Sequence, residues 1–215
     1  AEVLVALTGA GRATVFVARA AEDSLIGIEG VIGGAGNDRL TGNDAANLLA
    51  GGDGADTLAG GPGADTLDGG EFRDRADYTL LSESLRVALA GDNPAIVRIG
   101  GREEDVLRSI EAVVTGSGAD TLVGDAEANH LAAHSGDDAL TGGLGADTLD
   151  GGLGTDTVSY LDRADPVVLG LRGTSFVTAT VGGMAEDRVR NVENIRGGAG
   201  NDRLTGDGVG GIEQH

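Results

Sequence analysis

Aliphatic residues recur every nine positions along two long stretches of the chain, and the residues between them follow an equally regular order. Residues 51–70 show the pattern twice, as GGDGADTLA followed by GGPGADTLDGG. Within each nine, glycine takes the first, second and fourth places, aspartate the sixth and leucine the eighth. A fixed period of this kind predicts a solenoid rather than an ordinary globular fold. The eighth places of the first stretch are Val31, Leu40, Leu49, Leu58, Leu67 and Ala76.

A longer period of 82 residues is superimposed on the first, carrying Asp38 to Asp120 and Asp202. The chain therefore holds about 2.6 copies of one unit. Between the nonapeptide runs, apolar residues alternate with polar ones, as in Val3, Val5 and Leu7. A second alternating stretch follows each time, for example at Val97 and Ile99. Alternation indicates half-buried strands, so each intervening segment is predicted to be a β-hairpin or flap.

These patterns divide the chain into six predicted segments. They are a β-strand lead-in at 1–24, a first roll at 25–77, an inter-roll β segment at 78–106, a second roll at 107–159, another inter-roll β segment at 160–188 and the start of a third roll at 189–215. We leave open whether the rolls are continuous or hinged, and favour separate rolls packed in series.

The nine-residue repeat, which we call a beat, predicts a flattened right-handed coil of alternating turns and short strands. One aliphatic side chain of each strand is turned inward. Two beats make one circuit of eighteen residues, so turns two beats apart stack at about 4.8 Å. Glycines in the turns permit a positive φ and leave main-chain carbonyls uncovered. The predicted fold class is all-β, a right-handed parallel β-roll in tandem 82-residue units.

The composition indicates that the chain binds cations. The chain has 35 acidic and 15 basic residues, giving a formal charge of −20. This balance argues against nucleic acid and anionic membranes as partners. No apolar run approaches the roughly 18 residues of a membrane span, and the start of the chain shows no signal-peptide pattern. The sequence begins with Ala1 rather than methionine, so we expect a fragment of a longer protein.

Stacked turns bring carboxylates and carbonyl oxygens together in a poorly hydrated groove, where like charges repel each other. A hard dication with six to eight oxygen ligands removes the repulsion. The beat contains no histidine or cysteine, which argues against zinc and copper. Calcium is the fitting ion, with roughly four to eight sites. Eight ions would offset most of the formal charge of −20.

The nonapeptides GGAGNDRLT, GGDGADTLA, GGPGADTLD and GGLGADTLD resemble those of the haemolysin-type calcium-binding (RTX) family. The lead-ins IEGVIGG, IEAVVTG and VENIRGG are similar to those of many members, and the segments between the runs resemble those of serralysin-type secreted proteins. The resemblance implies a parallel β-roll with Ca²⁺ between stacked turns. It also implies a secreted bacterial protein, exported by a type I system and folding outside the cell when calcium binds.

The predicted ligands follow the positions of the beat. At the sixth places they are Glu29, Asp38, Asn47, Asp56, Asp65, Asp74, Glu111, Asp120, Asn129, Asp138, Asp147, Asp156, Glu193 and Asp202. From the turns they are Gly33, Ala35, Gly36, Gly42, Asp44, Gly51, Asp53, Gly54, Gly60, Pro62, Gly63, Gly116, Ser117, Gly118, Gly136, Gly142, Leu144, Gly145, Gly151, Leu153, Gly154, Gly198 and Gly200. Turns that lose glycines, before Asp74 and Asp138, are expected to form distorted cages.

Three functions remain open. The first is a calcium-driven folding module of a secreted RTX protein. The second is a segment of a surface adhesin or surface-layer protein that binds a glycan or a neighbouring protein or repeat. The third is an accessory domain of a secreted hydrolase, epimerase or toxin. No catalytic motif stands apart from the repeat, so we expect no enzyme within these residues. Tyr78 and Tyr160 are interpreted as caps at the ends of the runs, in preference to a sugar-stacking platform.

Overall fold

The computed structural model describes residues 1–9, 12–18, 20–208 and 211–213. Parts of the predicted segments 1–24 and 189–215 therefore lie outside the described residues. Within the described residues the regular secondary structure consists of β-strands, with no helix. The strands are β1 Val3–Ala6, β2 Arg12–Val17, β3 Ala20–Ile26, β4 Gly30–Ala35, β5 Arg39–Thr41, β6 Leu48–Asp53, β7 Thr57–Ala59, β8 Thr66–Glu71, β9 Arg75–Asp77, β10 Leu85–Ala88, β11 Ala95–Ile99, β12 Arg102–Arg108, β13 Ala112–Val114, β14 Thr121–Val123, β15 His130–Ala132, β16 Ala139–Thr141, β17 Thr148–Asp150, β18 Thr157–Ser159, β19 Val167–Gly170, β20 Val177–Val181, β21 Met184–Arg190, β22 Asn194–Arg196, β23 Arg203–Thr205 and β24 Ile212–Glu213.

Strands of the nonapeptide runs pair in parallel with strands one circuit away. Leu40 of β5 is in register with Leu58 of β7, and Leu49 of β6 with Leu67 of β8. The second run repeats the arrangement, since β14 pairs with β16 and β15 with β17. Consecutive strands along the chain alternate between two sheets, so the chain coils as turn, strand, turn, strand. The eighteen-residue circuit of a parallel β-roll is confirmed.

The core is a file of aliphatic side chains between the two sheets. The eighth-place leucines from Leu40 to Leu67 in the first run are completely buried, as are those of the second run from Leu122 to Leu149. The residues on either side of each leucine are partly or fully exposed. Each circuit thus buries only about two large side chains, which makes a thin core for the amount of main chain that it orders.

The intervening segments continue the stack. Each predicted hairpin is extended by a third strand, giving the antiparallel order β1-β2-β3 in the first segment and β19-β20-β21 in the third. The last strand of the segment pairs in parallel with the preceding run, as β12 does with β8 and β21 with β17. The first strand pairs with the following run, as β10 does with β14 and β19 with β23.

Contacts divide the chain into two compact units, each formed by two segments. Unit 1 consists of residues 1–78 and 89–113, and unit 2 of residues 79–88 and 114–215. In unit 1 the strand orders are β9-β7-β5-β1-β2-β3 and β11-β12-β8-β6-β4. In unit 2 they are β23-β19-β20-β21-β17-β15 and β24-β22-β18-β16-β14-β10. The six-segment division stays a prediction. Among the described residues, no helix is long and apolar enough to cross a membrane.

Truncating one core leucine is expected to destabilise the roll strongly. Leu58→Ala leaves a cavity in a single-file core and should cost about 3 kcal/mol in the free energy of unfolding. Leu48→Ala is the control, because Leu48 is 51 % exposed on the same roll, and it should cost well under half as much. Chemical denaturation of both variants at saturating Ca²⁺ measures the difference. Equal effects would contradict the single-file core.

Candidate metal centres

Six sixth-place aspartates each accept a hydrogen bond from the main chain one circuit earlier. The N–H of the earlier sixth-place residue donates to Oδ1 of the later aspartate at 2.7 to 2.9 Å. We call this row of bonds the carboxylate ladder. Its members, donor first, are Asp38 to Asp56, Asn47 to Asp65, Asp56 to Asp74, Asp120 to Asp138, Asn129 to Asp147 and Asp138 to Asp156. The structure thus brings together the sixth places two beats apart.

The ladder continues where the nonapeptide pattern stops. Asp65 N–H donates to Asp105 Oδ1 at 2.9 Å, and Asp147 N–H donates to Asp187 Oδ1 at 3.0 Å. Asp105 and Asp187 lie in the third strands of their segments and were missing from the sequence-based ligand set. The stacked turns form two rows, and in the row that ends at Asp74 or Asp156 the ladder continues to a glutamate. Glu111 Oε2 accepts from the Asp74 N–H, and Glu193 Oε2 accepts from the Asp156 N–H, both at 2.8 Å. The 82-residue period relates Asp105 to Asp187, and was the only signal in the sequence that could have identified them.

The second carboxylate oxygen is buried and lacks a hydrogen-bond partner in ten aspartates of the two units. A buried carboxylate oxygen in this state carries a large desolvation cost unless a cation or a proton compensates it. The oxygens concerned are the Oδ2 atoms of Asp38, Asp56, Asp65, Asp74, Asp120, Asp138, Asp147, Asp156, Asp187 and Asp202. Their regular spacing makes a file of orphaned oxygens along each unit.

The first-place glycines leave space in front of these oxygens. A Cβ added to Gly51 would collide with Asp56 Oδ2 and would lie 2.7 Å from the carbonyl oxygen of Gly69 in the next turn of the stack. A Cβ on Gly33 would likewise meet Asp38 Oδ2 and would lie 2.8 Å from the Gly51 carbonyl oxygen. The same collision with the sixth-place side chain occurs at Gly42, Gly60, Gly124, Gly142, Gly151 and Gly197. At Gly33 and Gly51 a carboxylate oxygen therefore shares the space with a carbonyl oxygen of the next stacked turn.

Carbonyl oxygens of the second and fourth places face the next turn of the stack. A Cβ added to Gly52 or Gly54, which have φ of 106° and 130°, would collide with the carbonyl oxygen of Gly34 or Gly36. The second-place carbonyls of the first run, such as that of Gly34, were not among the predicted ligands. Fourth-place glycines with positive φ are Gly36, Gly54, Gly63, Gly136, Gly145 and Gly154. At the run starts, Gly116, Gly118, Gly198 and Gly200 approach the main chain of Leu81, Glu83, Arg163 and Asp165 in the same way.

Third-place side chains point outward, so these residues could contribute only main-chain oxygen. The exposed ones are Ala35, Asp44, Asp53, Pro62, Ser117, Leu144 and Leu153. The Asp53 and Leu153 carbonyls already accept from Gly36 and Gly136 at 2.8 and 2.9 Å. Glu29 is also exposed, and its main-chain carbonyl, rather than its carboxylate, accepts from Asn47 Nδ2 at 3.4 Å.

Asparagine at the sixth place changes the local bonding. Asn47 Oδ1 accepts from the Asn43 N–H at 2.7 Å, and Asn129 Oδ1 accepts from the Asp125 N–H at 2.8 Å. The amide oxygen is thereby engaged within its own turn.

The turns that lack glycines keep the left-handed conformation, with φ of 85° at Phe72 and 62° at His134. A non-glycine residue in that conformation is strained. The sixth-place aspartates that follow these turns, Asp74 and Asp138, are nevertheless buried.

Burial raises the pKa of the ladder carboxyls. Loss of hydration is the largest cause, hydrogen bonds from main-chain N–H groups oppose it, and neighbouring carboxylates add to it. The pKa reaches about 7 for Asp74, Asp138 and Asp147. It reaches about 6 for Asp65 and Asp156. Burial and, to a smaller extent, neighbouring carboxylates therefore oppose ionisation of these turns, and a cation between the turns would offset both effects.

Within the described residues, no three side chains of the His, Cys, Asp or Glu type converge as a metal cluster. The carboxylates instead run in single file, so a bound ion would need main-chain carbonyls for most of its ligands. Orphaned carboxylate oxygens, uncovered carbonyls and the space kept by glycine form an all-oxygen donor set. Such a set fits Ca²⁺, which takes six to eight oxygen ligands in flexible geometry.

The two tyrosines close the runs from inside. Tyr78 is 7 % exposed and its hydroxyl donates to Asp105 Oδ2 at 2.8 Å. Tyr160 is 2 % exposed, and burial together with the charge of Asp187 raises the pKa of its hydroxyl. The interpretation as caps agrees with this burial, and a sugar-stacking platform is ruled out for side chains so enclosed.

Adding one methyl group in the groove should remove an ion. Gly51→Ala places its Cβ against Asp56 Oδ2 and the Gly69 carbonyl, so the variant is expected to bind at least one Ca²⁺ fewer. Gly30→Ala is the matched control, because its Cβ would meet nothing nearer than the Leu48 carbonyl oxygen at 3.7 Å. Counting bound Ca²⁺ by equilibrium dialysis compares the two. An unchanged count in Gly51→Ala would contradict the placement of the groove.

Acid should partly replace calcium in supporting the fold. In the folded chain the pKa is about 6 for Asp65 and about 7 for Asp74 and Asp138, against an ordinary value of 3.8. The folded state therefore binds more protons than the unfolded state between about pH 4 and 7, and the metal-free fold gains stability as the pH falls through that window. Far-UV circular dichroism of the EDTA-treated chain should show more β structure at pH 5 than at pH 8. The opposite trend would contradict the raised pKa values.

Comparison with known proteins agrees with this geometry. The family model for the RTX calcium-binding nonapeptide repeat (4 copies) matches residues 26–58, 41–76, 114–149, 124–158 and 192–208. Together these ranges cover more than half of the 215 residues. No curated protein matches the chain.

Among solved structures, the chain is similar to the extracellular lipase LipA from Serratia marcescens, with 20 % identity and a TM-score of 0.34. The match covers 76 % of this chain and 38 % of the lipase chain. At that TM-score the likeness supports no inference about this chain. The assignment rests on the repeats and on the family match: the chain belongs to the RTX calcium-binding nonapeptide repeat family.

Proposed function

We propose that this chain is a calcium-driven folding module of a secreted bacterial protein, which orders outside the cell as several Ca²⁺ ions bind between its stacked turns. The family model that matches this chain is that of a calcium-binding repeat. The observation that carries the proposal is the file of buried Oδ2 atoms without hydrogen-bond partners, repeated at every circuit of the roll. The module has a structural role, and the proposal gives it no catalytic step.

The balance of forces makes folding depend on the ion. Each circuit orders eighteen residues around about two buried leucines, and its glycines lose much conformational entropy on folding. The formal charge of −20 adds repulsion between ladder carboxylates. Ions that bind only the folded state add their binding free energy to its stability.

The expected affinity fits an extracellular switch. Calcium modules of extracellular proteins typically have dissociation constants of about 10⁻⁴ to 10⁻³ M. At lower calcium concentrations the chain would stay unfolded, which suits export through a narrow type I channel. At higher concentrations outside the cell, the ions would drive the chain into the roll.

Calcium titration of the metal-free chain tests the proposal. We expect a cooperative change from coil to β structure in far-UV circular dichroism at pH 8, with several bound ions counted by isothermal titration calorimetry. Mg²⁺ is the control cation, because it prefers a strict octahedral geometry and gives up its waters reluctantly. It should produce little β structure at the same concentration.

Two outcomes would overturn the proposed function. One is a metal-free chain that already has its full β structure and a cooperative unfolding transition at pH 8. The other is an equal response to Mg²⁺ and Ca²⁺, which would indicate general charge screening rather than ion-specific sites.

A further inference from the structure

A buried arginine lies at the end of one row of stacked turns in unit 2. Arg163 is 6 % exposed, although its neighbours Leu161 and Asp162 are exposed. Its Nη2 donates to the carbonyl oxygen of Gly143 and to Glu186 Oε1. Both acceptors are in the same unit as the arginine. A buried guanidinium needs such partners, because its charge cannot be removed by deprotonation.

The Gly143 carbonyl oxygen, which accepts a hydrogen bond from Arg163, is one of the second-place carbonyls that face the next stacked turn. Gly143 is the second-place residue of the turn 142–147, and second-place carbonyls elsewhere face the turn one circuit later. After this turn the stack continues with β21, where Asp187 accepts from the Asp147 N–H at 3.0 Å. The guanidinium thus lies where the row of turns ends, against the last carbonyl of that row.

Unit 1 has the same row end without the arginine. Gly61, Asp65, Glu104 and Asp105 are the equivalents of Gly143, Asp147, Glu186 and Asp187, each 82 residues earlier. Asp65 N–H donates to Asp105 Oδ1 at 2.9 Å, matching the bond in unit 2. Asp65 is 1 % exposed and its Oδ2 has no hydrogen-bond partner.

The residue equivalent to Arg163 is Leu81. The main chain is used alike at both positions, because the Leu81 carbonyl accepts from Ser117 N–H at 3.0 Å and the Arg163 carbonyl accepts from Ala199 N–H at 2.9 Å. The two positions therefore share their main-chain bonding and differ in the side chain, one charged and one aliphatic.

We propose that the Arg163 guanidinium is a built-in substitute for the last calcium ion of its row, and that the equivalent row end in unit 1 binds a Ca²⁺ ion through Gly61, Asp65 and Glu104. The inference rests on the proposed calcium-dependent folding. It goes beyond the repeat pattern, because Arg163, Glu104 and Glu186 all lie outside the nonapeptides.

The charges in the two units support this assignment. In unit 2 the Arg163 cation lowers the pKa of Asp147 against the larger effect of burial. In unit 1 the charges that act on Asp65 are those of the carboxylates Asp105 and Glu104, which raise its pKa after burial. The Oδ2 atoms of Asp65 and Asp147 both lack a hydrogen-bond partner, but a positive charge lies beside Asp147, whereas only negative charges lie beside Asp65.

Replacing the arginine by leucine, the residue found 82 positions earlier in the sequence, should create a calcium site. Arg163→Leu is expected to bind one Ca²⁺ more than the unsubstituted chain in equilibrium dialysis at saturating calcium, because it exposes the Gly143 carbonyl, Glu186 and Asp147 Oδ2. Arg203→Leu is the control, since Arg203 is exposed and the variant loses the same charge. Its count should equal that of the unsubstituted chain.

A second pair of variants tests the two row ends separately. Glu104→Gln should lower the count by one ion, because it removes a ligand from the site in unit 1. Glu186→Gln should leave the count unchanged, because that side chain is paired with Arg163. If Arg163→Leu fails to fold even with calcium, this pair of variants decides the question.

The outcomes distinguish a failure of the proposed function from a failure of the substitution of calcium by Arg163. An unsubstituted chain that binds no Ca²⁺ would overturn the proposed function. A chain that binds several ions, with counts unchanged in both Arg163→Leu and Glu104→Gln, would overturn only the substitution by arginine. A gain of one ion in Arg163→Leu, or a loss of one ion in Glu104→Gln that Glu186→Gln does not show, supports it.

Discussion

The structure depends on one repeated hydrogen bond, from the main-chain N–H of a sixth-place residue to a carboxylate oxygen one circuit later. The bond holds consecutive circuits in register, since a slip of one residue would remove every acceptor from its donor. It also fixes the orientation of the carboxylate, so that its other oxygen points into the groove in front of the first-place glycine. Order in the main chain is thus obtained by placing an unsatisfied carboxylate oxygen inside the protein, where a cation or a proton would compensate it.

The same constraint shapes the segments between the runs. A three-stranded insertion would interrupt the ladder unless it supplied a carboxylate at the correct height, and Asp105 and Asp187 do so from β12 and β21. Tyr78 then occupies the second oxygen of Asp105 with its hydroxyl, so this rung is completed by the protein alone. The insertions therefore continue the carboxylate ladder, although their sequences contain no nonapeptide.

The stacking interval, the core leucines and the sixth-place pairs could all be predicted from the sequence. They follow from a local period, and each beat repeats the same physical requirement. The third strand of each insertion could not, because REEDVLR and MAEDRVR look like charged surface when their partner strands are unknown. Glu29 stays a predicted ligand, although its side chain is exposed because the residue precedes the circuit that would enclose it. The burial of Arg163 depends on a carbonyl twenty residues earlier, and no local pattern shows that contact.

The outermost strand of one sheet in unit 1 has a further consequence. β3 ends its sheet, and its residues are almost all exposed, so one side of the strand presents main-chain donors and acceptors to solvent. Edges of this kind recruit strands from other molecules and begin aggregation. Glu22 and Asp23 lie in β3, and their negative charges oppose the approach of a second strongly acidic chain. Colloidal stability at this edge should therefore weaken at high ionic strength, where screening removes the repulsion while the edge remains.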